Sequence, residues 1–491
     1  MNNVQAGVTA LCLLLLCSPA NSVSEFEQWR QQQQQSFQEY RDERDREFTA
    51  FLKEHWREME LMKGVVRDEK PKPVVMPVAK PQPPKPPKPE PSPDEIPAVI
   101  VKPEPVVITP KPTEPVQPVP APRQEYKGLR AHVDYFGTRI TFFYDPAFKK
   151  SLPYRLNESA LSKFWSDLSQ ADYEPLLEQL DVQSRALRLN DWGYAVLTNK
   201  LSEQIYPTSK NRQALFAWFV LTKAGFRSRV AYDERNVYLL IPSKHKLYDV
   251  TYFTFDNERY YAISFDGSSN KPGKVYTYDG HYPGAVKKLD LSIRARAPKG
   301  ENAEERSLSF DYGGKQYDFI AGYEKDRIEF LNTYPQLDLE LYFDSEVSET
   351  AESPLLQQLA KELEGMSEQQ AVNFLLRFVQ SSFKYKTDDK QFGKENYLFP
   401  EETIFYPYSD CEDRSVFFAW LVKRLLKLDV VGLNYPGHVA TAVHFTQDAD
   451  GNFVTYNGRR YTVADPTYIN ATVGMTMPEY SNTKPGVISF R

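Results

Sequence analysis

Hydrophobic positions recur along this chain with different periods, and each period marks a different region. From residue 25 to 68 the spacing is eleven. Phe26, Phe37, Phe48 and Met59 form one series, and Trp29, Tyr40, Phe51 and Met62 another. Eleven residues over three turns is about 3.67 per turn, so the spacing predicts a long amphipathic helix with a nearly straight aromatic stripe. Its polar face carries both charge signs rather than the Lys/Arg excess of a lipid binder. The stripe is therefore expected to bury against itself or a partner helix. From 70 to 123 apolar periodicity gives way to proline, 20 of the chain's 37. That composition predicts a polyproline linker with a reach on the order of 150 Å. The folded part is expected to begin near residue 128 and to stand without the segment before it.

Periods of two and of 3.6 alternate beyond that point. Leu289, Leu291 and Ile293 read as a strand. Leu308, Phe310 and Tyr312, then Gly313-Gly314, then Tyr317 and Phe319 read as a hairpin with a two-glycine turn. Leu355, Leu356, Leu359 and Leu363 form a helical stripe closed by Gly365, and Ser367 opens another helix carrying Phe374, Leu375 and Phe378. Val416, Phe417, Trp420, Leu421, Leu425 and Leu428 mark one face of a helix that starts at Asp410-Cys411. Strands follow at 438–445 and 460–464, the second ended by Pro466.

Three stretches repeat. Asn211–Trp218 matches Asp413–Trp420, Tyr248–Tyr252 matches Ala464–Tyr468, and Ile140–Asp145 matches Leu339–Asp344. The match predicts two copies of one α+β unit, at 128–266 and 335–491, with a β-rich region at 267–334 between them.

Charge and cysteine usage narrow the function. A net charge of −6 argues against a nucleic-acid partner. Residues 8–17 are apolar and precede Ser18-Pro19-Ala20-Asn21-Ser22, so residues 1–22 read as a signal peptide of a periplasmic or secreted protein. Cys17 is a weak lipoprotein anchor, because Leu16 stands where a small residue is wanted. No later run is long enough to span a membrane. Cys12 and Cys17 leave with the signal, so Cys411 is then the single thiol, in an oxidising compartment.

Cys411 lies in the first turn of its helix, His438 at the start of one strand, and Asp465 at the end of the next. A thiol near a helix N-terminus, an imidazole to move its proton and a carboxylate to fix the tautomer meet the needs of acyl transfer. Asp410-Cys411-Glu412-Asp413, Gly437-His438 and Ala464-Asp465-Pro466-Thr467-Tyr468 together resemble the transglutaminase-like superfamily of papain-related enzymes, which includes bacterial cysteine proteinases. The resemblance covers the last quarter of the chain. It implies Cys411 as nucleophile, His438 as base and Asp465 as orienter, on an antiparallel sheet packed against the nucleophile's helix. In the first copy Ser209 stands at the cysteine's place and Val237 (or Asn236) at the histidine's, leaving Asp249, so that copy resembles a degenerate unit.

The expected function is cleavage or amine transfer at amide bonds of envelope proteins or peptides, with hydrolysis favoured. The alternative is a non-catalytic tethered binding or scaffold module. No cofactor is expected. Asp410, Glu412 and Asp413 read as helix caps, or as oxygen ligands for calcium. No zinc spacing is present among the histidines. His444 reads as a strand histidine, and Tyr406 or Tyr408 as an oxyanion donor.

Overall fold

The computed structural model describes residues 25–60, 62–64, 75–79, 125–265, 274–294 and 302–490. The expected signal peptide and most of the proline-rich stretch lie outside them. The described residues form a mixed α+β fold. No helix among them is long and apolar enough to cross a membrane.

The first helix is shorter than its spacing predicts. α1 spans Glu25–Glu54, and Trp56–Glu60 is a strand, β1. Two side chains stop the helix. His55 Nδ1 donates to the Phe51 carbonyl at 2.8 Å, and the Trp56 indole N–H donates to the Leu52 carbonyl. Each takes the acceptor that its own backbone N–H would use in a continued helix.

The aromatic stripe of α1 is divided in two. Trp29, Phe37 and Tyr40 are more than half exposed, whereas Phe48 and Leu52 are buried in the folded part. The Phe48 ring meets Trp165 at 4.9 Å and Tyr282 at 5.4 Å. Asp45 forms a buried ion pair with Lys223 and accepts from Tyr282 at 2.9 Å. Residues 41–60 are therefore part of the first half of the fold, and the expectation of a folded part independent of them is corrected.

That half opens with a hairpin, β2 (Leu129–Tyr135) and β3 (Thr138–Tyr144). Helices α2 (Glu158–Ser169), α3 (Glu174–Ala186), α4 (Asp191–Ile205) and α5 (Lys210–Lys223) follow. The sheet is built from β4 (Arg229–Tyr232), β5 (Val237–Pro242), β6 (Tyr252–Phe255), β7 (Glu258–Ile263) and β8 (Lys274–Tyr278), in the order β1-β8-β4-β5-β7-β6. β1 pairs antiparallel with β8, and Met62 then bonds Tyr252 in both directions, at 2.9 and 3.1 Å. β1 thus covers the outer side of β8, and Met62 bridges β6 at the other end of the order.

The second half also opens with a hairpin, β9 (Ala303–Tyr312) and β10 (Lys315–Glu324), turning at Gly313-Gly314 as expected. Then come α6 (Lys325–Leu331), α7 (Leu339–Phe343), α8 (Glu349–Leu363), α9 (Glu368–Ser382), β11 (Lys384–Tyr385), α10 (Asp388–Gln391), α11 (Pro400–Phe405), β12 (Tyr408–Ser409) and α12 (Cys411–Leu426). Strands β13 (Asp429–Tyr435), β14 (His438–His444), β15 (Phe453–Tyr456), β16 (Arg459–Ala464) and β17 (Gly486–Ile488) form an antiparallel sheet ordered β15-β16-β14-β13-β17. α12 is not a one-faced helix. Every residue from Cys411 to Val422 is buried, because the sheet covers one side and α7, α8, α9 and α11 the rest.

Two of the sequence matches shift, and so does one boundary. Ile140–Tyr144 lies in a strand but Leu339–Phe343 is a helix. The first buries alternate residues (140, 142, 144), the second Leu339, Tyr342 and Phe343 at i, i+3 and i+4. The β-rich region at 267–334 is not a separate body, since β8 completes the first sheet while β9 and β10 open the second half. Asp249 does not occupy the place of Asp465. Asp465 follows β16, which pairs with β14, and the strand so placed in the first half is β7, followed by Ser264. Asp249 sits in the loop before β6 at φ +58°.

The proline-rich stretch is fastened at both ends. Ala79 N–H donates to the Ile469 carbonyl at 2.8 Å, and Ile469 N–H to the Pro77 carbonyl at 2.9 Å. Ala79 is buried with Tyr435, Tyr468 and Tyr480 on the outer face of the second sheet. At its other end the chain re-enters the fold at Leu129.

Candidate active site

α12 begins where the sequence predicts. Asp410 is extended at φ −111°, ψ −152°, and its N–H donates to Asp413 Oδ2 at 3.2 Å. Asp413 Oδ1 accepts from Leu398 N–H at 2.9 Å, so one carboxylate fixes both the helix start and the loop before α11. The carboxylate oxygens of Asp410 have no hydrogen-bond partner.

Cys411 is fully buried. Its thiol donates to Glu412 Oε2 at 2.9 Å. Burial and then the charges of Glu412 and Asp410 push the thiol well up, against the Val439 backbone amide, which favours the thiolate. One turn on, Ser415 Oγ donates to the Val439 carbonyl at 2.9 Å. Both polar groups of Val439 are therefore held by α12, and the residue before it is His438.

His438 starts β14 after the turn Pro436-Gly437, with Gly437 at φ +70°. Its Nε2 meets Asp465 Oδ2 at 2.9 Å. Asp465 Oδ1 accepts from the backbone of Thr467 at 2.9 Å and Tyr468 at 3.3 Å, which fixes the carboxylate. The imidazole stacks on Tyr480 at 5.2 Å and on Tyr435 at 6.2 Å. Its Nδ1 is buried and has no hydrogen-bond partner. The structure thus joins two of the three predicted residues directly. The third reaches them through Val439, with its thiol on Glu412 rather than on the imidazole.

The acids form a cluster that the sequence shows only in part. Ligand oxygens of Asp388, Asp410 and Asp413 lie within 4.8 Å of one another, all buried. Burial, then Asp410 and Asp413, raises Asp388 well above the carboxylate range, and burial first raises Asp410 and Asp413 too. Glu412 is pushed up to about 7 by burial and then Glu395. Arg414 is buried and lowered to about 10 by that burial. It donates to Ser409 Oγ, Gln380 O and Phe383 O at 3.2, 3.2 and 2.6 Å rather than to these carboxylates. A buried carboxylate cluster keeps its protons unless a cation replaces them. An orphaned carboxylate facing two others fits a hard dication.

Sequence reasoning missed Asp388, Gln380 and Tyr480. Gln380 donates to the carbonyls of Asp465 and Ala471 at 3.2 and 3.1 Å, holding the loop that carries the carboxylate. A polar residue beside Phe378 and Val379 on a buried helix face was its signal. Asp388 is the first residue of the short α10, with nothing in the sequence to distinguish it from a surface acid. Of the two tyrosines the sequence singles out, Tyr406 donates its OH to Asn332 at 3.0 Å, and a third, Tyr385, is the one whose hydroxyl senses the charges of Cys411 and Asp410. His444 Nδ1 meets the Arg460 carbonyl at 2.9 Å, as a strand histidine does.

Compared with protein-family models, curated proteins and solved structures, the chain matches none of them.

Proposed function

We propose that the second half is a transglutaminase-like thiol enzyme, exported to the periplasm or beyond, that acts on amide bonds of envelope proteins or peptides. What carries this reading is the His438–Asp465 bond at 2.9 Å, with Nδ1 left open at the strand whose next amide meets the Cys411 thiol. Asp465 fixes the tautomer in which Nε2 carries the proton and Nδ1 is the acceptor. In the reaction the thiol leaves Glu412 and gives its proton to Nδ1. The thiolate adds to the amide carbonyl, and the amine departs with the proton from the imidazolium, leaving a thioester. Water or a second amine then attacks that thioester, with Nδ1 taking the proton, and the thiol returns. Hydrolysis is the favoured ending.

The first half is read as a copy of the same unit without the chemistry, its hairpin, helices and sheet following in the same order. Ser209 has no base at Val237 to activate it. Asp388, Asp410 and Asp413, with Glu412, would hold a calcium ion. Bound there, the ion would supply the positive charge that the cluster lacks.

One observation favours the alternative of a non-catalytic scaffold: the thiol is buried and bonded to a carboxyl that raises its pKa. Two measurements separate the readings. The full chain is incubated with envelope protein and a labelled primary amine, reading cleavage and amine incorporation, and Cys411 is alkylated with iodoacetamide across pH. Cleavage without incorporation assigns hydrolysis. Neither reaction, with an inert thiol, overturns the enzyme reading.

A further inference from the structure

A cavity of about 850 Å³ lies away from Cys411, where the β2–β3 hairpin, the start of α4, residues 290–294 and α6 meet. Both halves of the chain contribute to it. Its size suits a small ligand.

The charges that line it are unequal once internal bonds are counted. Asp290 accepts from Ser292, His245 and Lys244 at 2.6, 3.2 and 3.1 Å, which with the Ser292 amide hold it below the usual carboxylate range despite burial. Asp191 accepts from the Asp290 amide at 2.9 Å, and Asp326 from Asn302 at 2.7 Å. Glu324 is bonded to Thr350. Of the cations, Lys244 serves Asp290 and Arg327 serves Glu401 at 2.9 Å. Arg139 and Arg188 line the cavity with exposed side chains and no such engagement among the described residues, and Arg294 gives one nitrogen to Ser292 Oγ at 3.4 Å. Each acid in the lining is already hydrogen-bonded within the protein, and two guanidinium groups, Arg139 and Arg188, are not paired with a carboxylate among the described residues.

Part of the lining is aromatic. Phe136 meets Phe330 at 5.5 Å, and Phe330 meets Tyr334 at 5.5 Å. Phe136 sits in the hairpin turn at φ +47°, a conformation that a bulky side chain adopts at a cost on the order of 1–3 kcal/mol. The corresponding turn of the second hairpin is Gly313-Gly314, which carries no such cost. Arg188, also in the lining, is left-handed as well, at φ +53°. Two strained non-glycine residues facing one cavity are a recurrent mark of ligand sites.

We infer that this cavity binds a small sugar acid or sugar phosphate, its ring on Phe136, Phe330 and Tyr334 and its oxyanion on Arg139 and Arg188. The planar guanidinium matches either oxyanion. The site stands independently of the thiol chemistry.

The test is calorimetric titration of the full chain with glucuronate and with glucose 6-phosphate, against glucose and inorganic phosphate. At least one ring-bearing anion should bind with a Kd below ~1 mM, at least about tenfold tighter than glucose or phosphate alone. Whichever binds tells carboxylate from phosphate. Arg139→Ala and Arg188→Ala should each weaken that binding about tenfold or more. Phe136→Gly restores the two-glycine turn, so it should keep the melting temperature while abolishing the advantage of the ring-bearing anion over phosphate. Failure of both sugar anions to bind, equal binding of inorganic phosphate, or binding indifferent to loss of both arginines overturns the inference.

Discussion

The starts of α5 and α12 carry the same local sequence pattern and use it differently. At α5, Ser209 caps the helix by accepting from the Arg212 amide at 3.4 Å. Asn211 stitches backbone to backbone, donating to the Arg235 carbonyl at 2.7 Å and accepting from the Val237 amide at 2.9 Å. At α12 the matching residue is Asp413, which reaches Leu398 and Asp410, and its neighbours are more carboxylates. Neutral side chains at α5 serve only to hold strand to helix. At α12 the strand is held by Ser415 instead, and the first turn is given over to a thiol and buried acids. The contrast teaches that one scaffold tolerates both uses, and that the costly arrangement is found only where chemistry is expected.

The hardest test of this contrast is turnover. Cys411→Ala and His438→Ala should each lower it by roughly four or more orders of magnitude, while Ser209→Ala leaves it unchanged. A large drop for Ser209→Ala in a stably folded chain would erase the contrast and give the protein two active centres.

The second test is stability. The first half depends on α1, and denaturant unfolding of Asp45→Ala should show it. The change strands Lys223 in the interior, where burial already lowers it to about 8 despite Asp45. The expected loss is roughly 3–5 kcal/mol, and Leu52→Ala should cost roughly 2–5 kcal/mol. Turnover on a small substrate at permissive temperature should survive both.

A third, smaller effect is on pH. Lys223 is depressed in the folded state, so between pH 8 and its ordinary value near 10.5 the unfolded chain holds the proton more tightly. Stability should therefore rise with pH above about 8, by on the order of 1–2 kcal/mol before tyrosine ionisation intervenes near 10. Melting temperatures of the wild type and of Lys223→Met/Asp45→Asn across that window should diverge, with the rise absent from the variant.

The smallest effect is at the first-half cap. Ser209→Ala should cost about 1 kcal/mol of stability.

α12, two of the five strands of the second sheet (β14 and β16) and the elements carrying the three candidate residues were legible because their patterns are local: a capped helix, a Pro-Gly turn, a strand ended by proline. What was not legible depended on partners far along the chain. Met59 and Met62 continue the eleven-residue series, yet Met59 pairs with β8 and Met62 bridges Tyr252, and it is the side chains of His55 and Trp56 that end the helix. Leu339–Asp344 looks like Ile140–Asp145 by residue type, but the spacing of buried positions separates a helix from a strand. Asp249 matched by neighbours and failed by topology, since strand order, not local sequence, decides which residue faces β14. Asp388 joined the acid cluster through tertiary contact alone.

The anchoring of Ala79 on Ile469 changes what the prolines can be. A chain fastened at one end is a leash and sets how far a body strays from its post. The described residues on either side of it, Ala79 and Leu129, belong to the same body, so the stretch between them closes a loop in the chain and sets no reach. Its length is nearly free, since doubling it would cost only about 0.6 kcal/mol in closure entropy. Cutting it once would not release the segment before it, because α1 packs into the first half and residues 75–79 are hydrogen-bonded to the second. A protease nick there should leave one particle on a sizing column and two pieces on a denaturing gel.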